Sequence, residues 1–99
     1  GIGPVVRRDE VDYYRELRML QPVRVSLRLA GLSDDASHFR LVNEFRREGG
    51  ELCARLTSQG GWLDIKVRKL VAPPEKLAAA LRGLERTEGY QELDSSIRR

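Results

Sequence analysis

From Val23 to Leu29 the chain alternates cleanly: Val23, Val25, Leu27 and Leu29 fall on one side, Arg24, Ser26 and Arg28 on the other. Successive side chains of a strand leave opposite faces, so this pattern predicts a half-buried antiparallel strand over residues 22–30. Pro22 stands at its first position, where a missing N–H does least harm. Residues 37–47 alternate again, with Phe39, Leu41, Asn43 and Phe45 against His38, Arg40, Val42 and Glu44. A slip of one residue would expose both aromatics, so the register is specified and the Phe39 side is expected to face inward. Upstream, Val11 and Tyr13 alternate with Glu10 and Asp12 in a segment rich in β-branched and aromatic residues, which predicts a first strand over residues 5–14. Residues 15–21 then form a connection.

The turns are equally legible. Gly31-Leu32-Ser33-Asp34-Asp35 carries turn chemistry. Gly49-Gly50 supplies the positive φ that a tight hairpin demands between residues 47 and 51. The hairpin leads into residues 51–69, a β-rich run with the single Trp, one interruption at Gly60-Gly61, and a basic end at Lys66, Arg68 and Lys69. This run is expected to be the central strand of a curved antiparallel sheet. Two glycines inside a strand pattern mark a bulge, a bend, or a close approach of a ligand or another backbone.

Pro73-Pro74 ends the β region, and Leu77, Ala78, Ala80, Leu81 and Leu84 make an apolar stripe at helical spacing. A helix over residues 74–86 is expected, with Glu75 favourably placed in its first turn and Gly89 as its stop. The polar tail over residues 90–99 is expected to be loosely held. Four strands of about ten residues span roughly 33 Å each, whereas a helix of about 13 residues spans about 20 Å. One such helix cannot cover a sheet face, so a further element upstream of Gly1 and a partner subunit are both expected.

Composition narrows the function classes. The chain of 99 residues suits one domain with one core, and 40% hydrophobic with 33% charged content suits a folded protein. No apolar run approaches the roughly 18 residues of a membrane span, and no secretory leader pattern is present, so a cytoplasmic protein is expected. One cysteine, Cys53, excludes an intrachain disulfide. A net charge of +3, with the charges interspersed, reads mostly as a solvated surface and suits a small polyanion better than nucleic acid. The few aromatics form no stacking platform for RNA. No zinc-spaced Cys/His set, P-loop or nucleophile elbow occurs, so neither a metal nor a cofactor is expected.

Residues 1–32, the segment FRLVNEFRREGGELCAR and the segment GGWLDIKVRKLVAPPEKLAAAL together resemble the acyl-CoA thioesterases of the 4-hydroxybenzoyl-CoA thioesterase type. The resemblance runs from Gly1 to about Leu81. It rests on the spacing of Val11, Tyr13 and Leu17-Arg18, the hairpin over residues 39–55, and Trp62-Leu63-Asp64 ahead of Arg68-Lys69 and Pro73-Pro74. It implies an α+β hotdog-like curved antiparallel sheet with a C-terminal helix. In such proteins a first strand and a long central helix precede the residues matched here and usually carry the catalytic acid, which has no counterpart in this chain. The catalytic residue is therefore left unassigned. The chain departs from the pattern at Glu16, where proline is frequent, and at Gln21, where an acid is common; both touch the strand connection.

The resemblance implies an acyl-CoA substrate and hydrolysis of its thioester, with a non-catalytic module for acyl groups or a partner protein as the alternative. It further implies a homodimer or homotetramer. Arg68 and Lys69 are the candidate substrate contacts, since cationic side chains hold coenzyme A phosphates, set against a plain solvated strand end. Gly60 and Gly61 could admit the thioester to backbone N–H groups, set against a structural bulge. His38 and Cys53 lack partners at any suggestive spacing and read as structural. Trp62 reads as a core or interface residue.

Overall fold

The computed structural model describes residues 1–97. It contains β1 (Ile2–Tyr13), β2 (Val23–Ser33), β3 (His38–Arg47), β4 (Leu52–Asp64), β5 (Lys69–Val71), α1 (Glu75–Arg82) and β6 (Arg86–Leu93). The strands form one curved, mainly antiparallel sheet in the order β1-β4-β3-β2-β6, with β5 paired to β4. β4 is an interior strand, second from the β1 edge, and β3 takes the middle place expected for the run over residues 51–69. β1 lies along one edge from Ile2↔Asp64 to Tyr13↔Ala54. The other edge is held by β3 as far as His38↔Gly61, after which β5 takes over at Trp62↔Val71.

The alternation read from the sequence sets the two faces. Val23, Val25, Leu27, Leu29, Phe39, Leu41, Phe45, Ala54, Leu56 and Trp62 share one, joined by Val11 and Tyr13 through the pairs Val11↔Leu56 and Tyr13↔Ala54. The core gathers at one end of this face, where Leu29, Leu32, Ala36, Phe39 and Trp62 pack with Ala78 of α1. Phe39 and Trp62 meet edge to face, with centroids 5.9 Å apart, and the Trp62 Nε1–H donates to the Ala36 carbonyl at 3.2 Å. Both contacts favour the pair beyond its buried area. α1 has 8 residues, about 12 Å of helix, and reaches no further. Val11, Tyr13, Val23, Val25 and Leu27, at the far end of the same face, are exposed.

Several elements differ from expectation. The run over residues 51–69 is two strands: β4 ends at Asp64, and Lys69 starts β5 after a turn closed by Arg68 N–H donating to the Asp64 carbonyl at 2.7 Å. That turn places Arg68 at φ 54°, a left-handed conformation uncommon outside glycine. β2 continues through Gly31 and Leu32 to Ser33, so the turn falls later, with Ala36 at φ 60°. α1 starts after Pro74 and stops at Gly83, not at Gly89; Ala78 is its buried residue, Leu81 and the following Leu84 pack against the core, and Leu77 faces out. The tail over residues 90–99, expected to be loose, instead supplies the second half of β6, paired in parallel with β2 from Gly31↔Gln91 to Ser33↔Leu93, while residues 98–99 lie outside the described residues. Gly31 makes this possible, because a β-carbon there would stand 2.9 Å from Leu93 Cγ. Periodicity could not reveal β6, since RTEGYQEL carries no apolar alternation. The Gly49-Gly50 hairpin is as predicted, with φ of 96° and 89°.

Candidate functional site

Gly60 and Gly61 are buried inside β4, flanked by β1 and β3. The register shift lies not in β4 but opposite it, between Val6 and Arg8 of β1. A β-carbon on Gly60 would stand 2.0 Å from the Val5 carbonyl oxygen and 3.0 Å from Phe39 Cζ, and one on Gly61 2.9 Å from the Ser37 carbonyl oxygen. Backbone and core thus approach here so closely that only glycine fits. Arg68 and Lys69 are exposed, at and just after the β4–β5 turn. Lys69 pairs with Asp64, so the glycines and the cations share one end of β4. Beside Lys69 and Leu70, Ser96 and Ile97 complete a cleft of ≈ 390 Å³.

Around that end lies a hydroxyl cluster that the sequence did not announce. Asp35 Oδ1 accepts from Ser33 Oγ at 2.8 Å and from the Ser37 N–H at 3.0 Å, and its Oδ2 accepts from Ser95 Oγ at 2.5 Å. Ser37 Oγ, fully buried, accepts from the Ser96 N–H at 2.9 Å. Burial pushes the Asp35 carboxyl up, but the hydrogen bonds from Ser37, Ser95 and Ser33 outweigh it and hold the group well below the usual carboxylate range. The cluster ties residues 94–97 to the β2–β3 turn. His38 belongs to the same tie, its Nδ1–H donating to the Asp94 carbonyl at 2.9 Å. Only the Asp35-x-Ser37 spacing, typical of an Asx turn, hinted at any of this.

A second cluster lies on the polar face. Glu44 is 3% exposed and faces three guanidinium groups: Arg28 Nη2 at 2.5 Å, Arg55 Nη2 at 2.9 Å and Arg46 Nη2 at 3.6 Å. Hydrogen bonds from Arg55 lead the causes that hold the Glu44 carboxyl low, with Arg28 assisting against desolvation, and the same contact raises Arg55. Reflecting the chain about Gly49-Gly50 would have placed Glu44 opposite Arg55, as observed. Its burial was not legible, since it stands in a row that is polar apart from Val42.

His38 and Cys53 form no catalytic pair. The His38 ring is held by a backbone carbonyl, and Cys53 is fully buried with Sγ 3.6 Å from the Glu51 carbonyl oxygen. Among the described residues no group of His, Cys, Asp and Glu is arranged to hold a metal. Nor is any helix among them long and apolar enough to cross a membrane.

This combination of a curved antiparallel sheet, a short helix on its apolar face and a glycine-tight interior strand has known counterparts. The chain belongs to the Thioesterase-like superfamily, whose pattern matches residues 1–81. Its fold is similar to that of the PA5185 protein from Pseudomonas aeruginosa strain PAO1, at a TM-score of 0.79 and 24% identity over 87% of this chain and 59% of that one. It is also similar to a thioesterase from Thermus thermophilus, solved with coenzyme A and Zn, at 0.67 and 30% identity over 83% and 59%. A third is Slr0204, a 1,4-dihydroxy-2-naphthoyl-CoA thioesterase from Synechocystis, at 0.72 and 18% over 84% and 60%. The chain therefore spans under two thirds of the length of each of the three. No curated protein sequence matches it.

Proposed function

We propose that the chain is the sheet of a cytoplasmic hotdog thioesterase of the 4-hydroxybenzoyl-CoA thioesterase type, which hydrolyses the thioester of an acyl-CoA. The observation that carries this reading is the superfamily match over residues 1–81. The coenzyme A bound to the Thermus thermophilus relative supports an acyl-CoA substrate. In this reading Arg68 and Lys69 hold the coenzyme A phosphates, and the Gly60-Gly61 end of β4 shapes the path of the pantetheine arm. The uncovered apolar surface of Val11, Tyr13, Val23, Val25 and Leu27 receives a helix that brings the catalytic carboxylate. That carboxylate activates water for attack on the thioester carbonyl, while backbone amides at the helix N-terminus stabilise the oxyanion. A second copy completes a homodimer, or two pairs a tetramer, and β1, at the margin of the sheet, is the strand we expect it to join.

The test is release of free thiol from a panel of acyl-CoA esters by the protein with its flanking regions. Turnover of at least one ester is expected. A second reading, a non-catalytic module that binds acyl groups or a partner protein, draws on the tied His38 and the buried Cys53, which form no cysteine–histidine pair. Saturable acyl-CoA binding with no turnover across the panel would replace the first reading by the second.

A further inference from the structure

The Glu44 cluster has charge left over. One carboxylate faces three guanidinium groups that are between 29% and 40% exposed. Both Glu44 oxygens are occupied, Oε1 by Arg28 and Arg46 and Oε2 by two nitrogens of Arg55. Arg28 retains Nε and Nη1 for another acceptor, because its only side-chain hydrogen bond among the described residues leaves from Nη2. Like charges this close and partly desolvated repel, and an anion would relieve them.

The opposite wall comes from β6. Its register with β2 jumps from Leu29↔Arg86 to Gly31↔Gln91, so residues 87–90 arch out opposite the single residue Ala30. That arch closes a cleft of ≈ 450 Å³ lined by Thr87, Glu88 and Gly89 on one side and Arg28, Glu44, Arg46 and Arg55 on the other. Thr87 and Gly89, which line the cleft, have no β2 partner at these positions. Gly89 faces open space, with nothing within 4 Å of where a β-carbon would stand.

We propose that this cleft is a binding site for a small, multiply charged oxyanion of the phosphoryl type, gripped by Arg28, Arg46 and Arg55 and oriented by Glu44. Glu44 aligns the three guanidinium forks rather than neutralising them. Arg46 is also steadied by donating from Nη1 to the Gly50 carbonyl at 2.9 Å, and Arg55 by its Nη1 beside Tyr14 Oη at 3.4 Å. Two other acids border the site: Glu88 lines its mouth and Asp12 acts on Arg55 across the β1–β4 pair, so in formal charge they offset what Glu44 leaves, and the grip rests on the unused guanidinium donors, which favours a compact ligand over an extended polyanion. The arch lies beyond residues 1–81, whereas Arg28, Glu44, Arg46 and Arg55 lie within them, so the superfamily pattern covers only one wall of the site. It is separate from the Arg68-Lys69 end of β4 and does not depend on thioester chemistry.

The test is calorimetric titration of the full chain with inorganic phosphate and pyrophosphate at constant ionic strength, with amide chemical shifts read in parallel. Saturable binding is expected, tighter for pyrophosphate, with the largest shifts at residues 87–89. Arg28→Gln and Arg55→Gln should each weaken it about tenfold, as the loss of a charge-assisted bond would. Gly89→Asp serves as the variant that keeps the fold, because a side chain there meets nothing within 4 Å, and it adds a negative charge at a residue that lines the cleft; it should weaken binding. Absence of saturable binding, binding unchanged in Gly89→Asp, or binding lost instead on Arg68→Ala with Lys69→Ala would each overturn the proposal.

Discussion

The carbonyl oxygen of Val5 occupies the place where a side chain on Gly60 would begin, 2.0 Å from the site of its β-carbon. The obstacle is backbone, held by the pairs Val5↔Gly61 and Val6↔Gly60, and it cannot swing aside as a flexible side chain could. Gly60→Ala should therefore destabilise the protein by about 3 kcal/mol or separate β1 from β4, the upper range for overpacking. Gly89→Ala, into open space, should fall within about 0.5 kcal/mol of the parent. Urea midpoints of the two variants make the comparison; similar midpoints would mean that β1 and β4 are not packed as described.

Leu20 is 97% exposed and sits at φ 64°, in a turn where Gln21 N–H donates to the Arg18 carbonyl at 3.2 Å. A left-handed conformation costs an L-residue roughly 1–2 kcal/mol, and glycine gives back part of that gain through the entropy of its unfolded chain. Leu20→Gly should thus stabilise the protein by about 0.5 kcal/mol, seen as an upward shift of the thermal midpoint. A downward shift would show that the Leu20 side chain contributes packing or association.

Asp35 makes stability depend on acid. Its carboxyl is held below the ordinary value of 3.8 in the folded protein, so the folded state favours the carboxylate. The resulting stabilisation is fully present above the unfolded value and is lost as pH falls below it toward the folded one. Stability measured from pH 6 down to pH 2 should fall less steeply in Asp35→Asn than in the parent. Glu44 and Glu51 are also held low and leave a residual slope in both proteins. The amides of Ser37 and Ser96 should lose exchange protection together in Asp35→Asn; protection unchanged at Ser96 would separate the tail from the carboxylate.

Arg68→Ala with Lys69→Ala tests the assignment of the coenzyme A phosphates. The apparent KM should rise for acyl-CoA by tenfold or more, the scale of losing one or two charge-assisted bonds, and change little for a pantetheine thioester that lacks the nucleotide. Equal effects on both substrates would remove these residues from the phosphate site.

What was legible in the sequence was whatever repeats locally. The alternation of Val23 to Leu29 and Phe39 to Phe45 named the two faces, and the glycines at 49 and 50 announced the hairpin, because side-chain period and turn geometry are properties of neighbouring residues. The order of Val11, Tyr13, Trp62 and Pro73-Pro74 was enough to recognise the superfamily. The glycines at 60 and 61 read equally as a bulge, a bend or a close approach, and nothing near them in the chain said that Val5 was the visitor. Only the tertiary structure paired Gly31 with Gln91, closed Asp35 onto Ser95, and buried Glu44 among Arg28, Arg46 and Arg55. Apart from Glu44 with Arg46, these contacts join residues distant in the chain, and their energy comes from desolvation and charge that arise only once the sheet has formed.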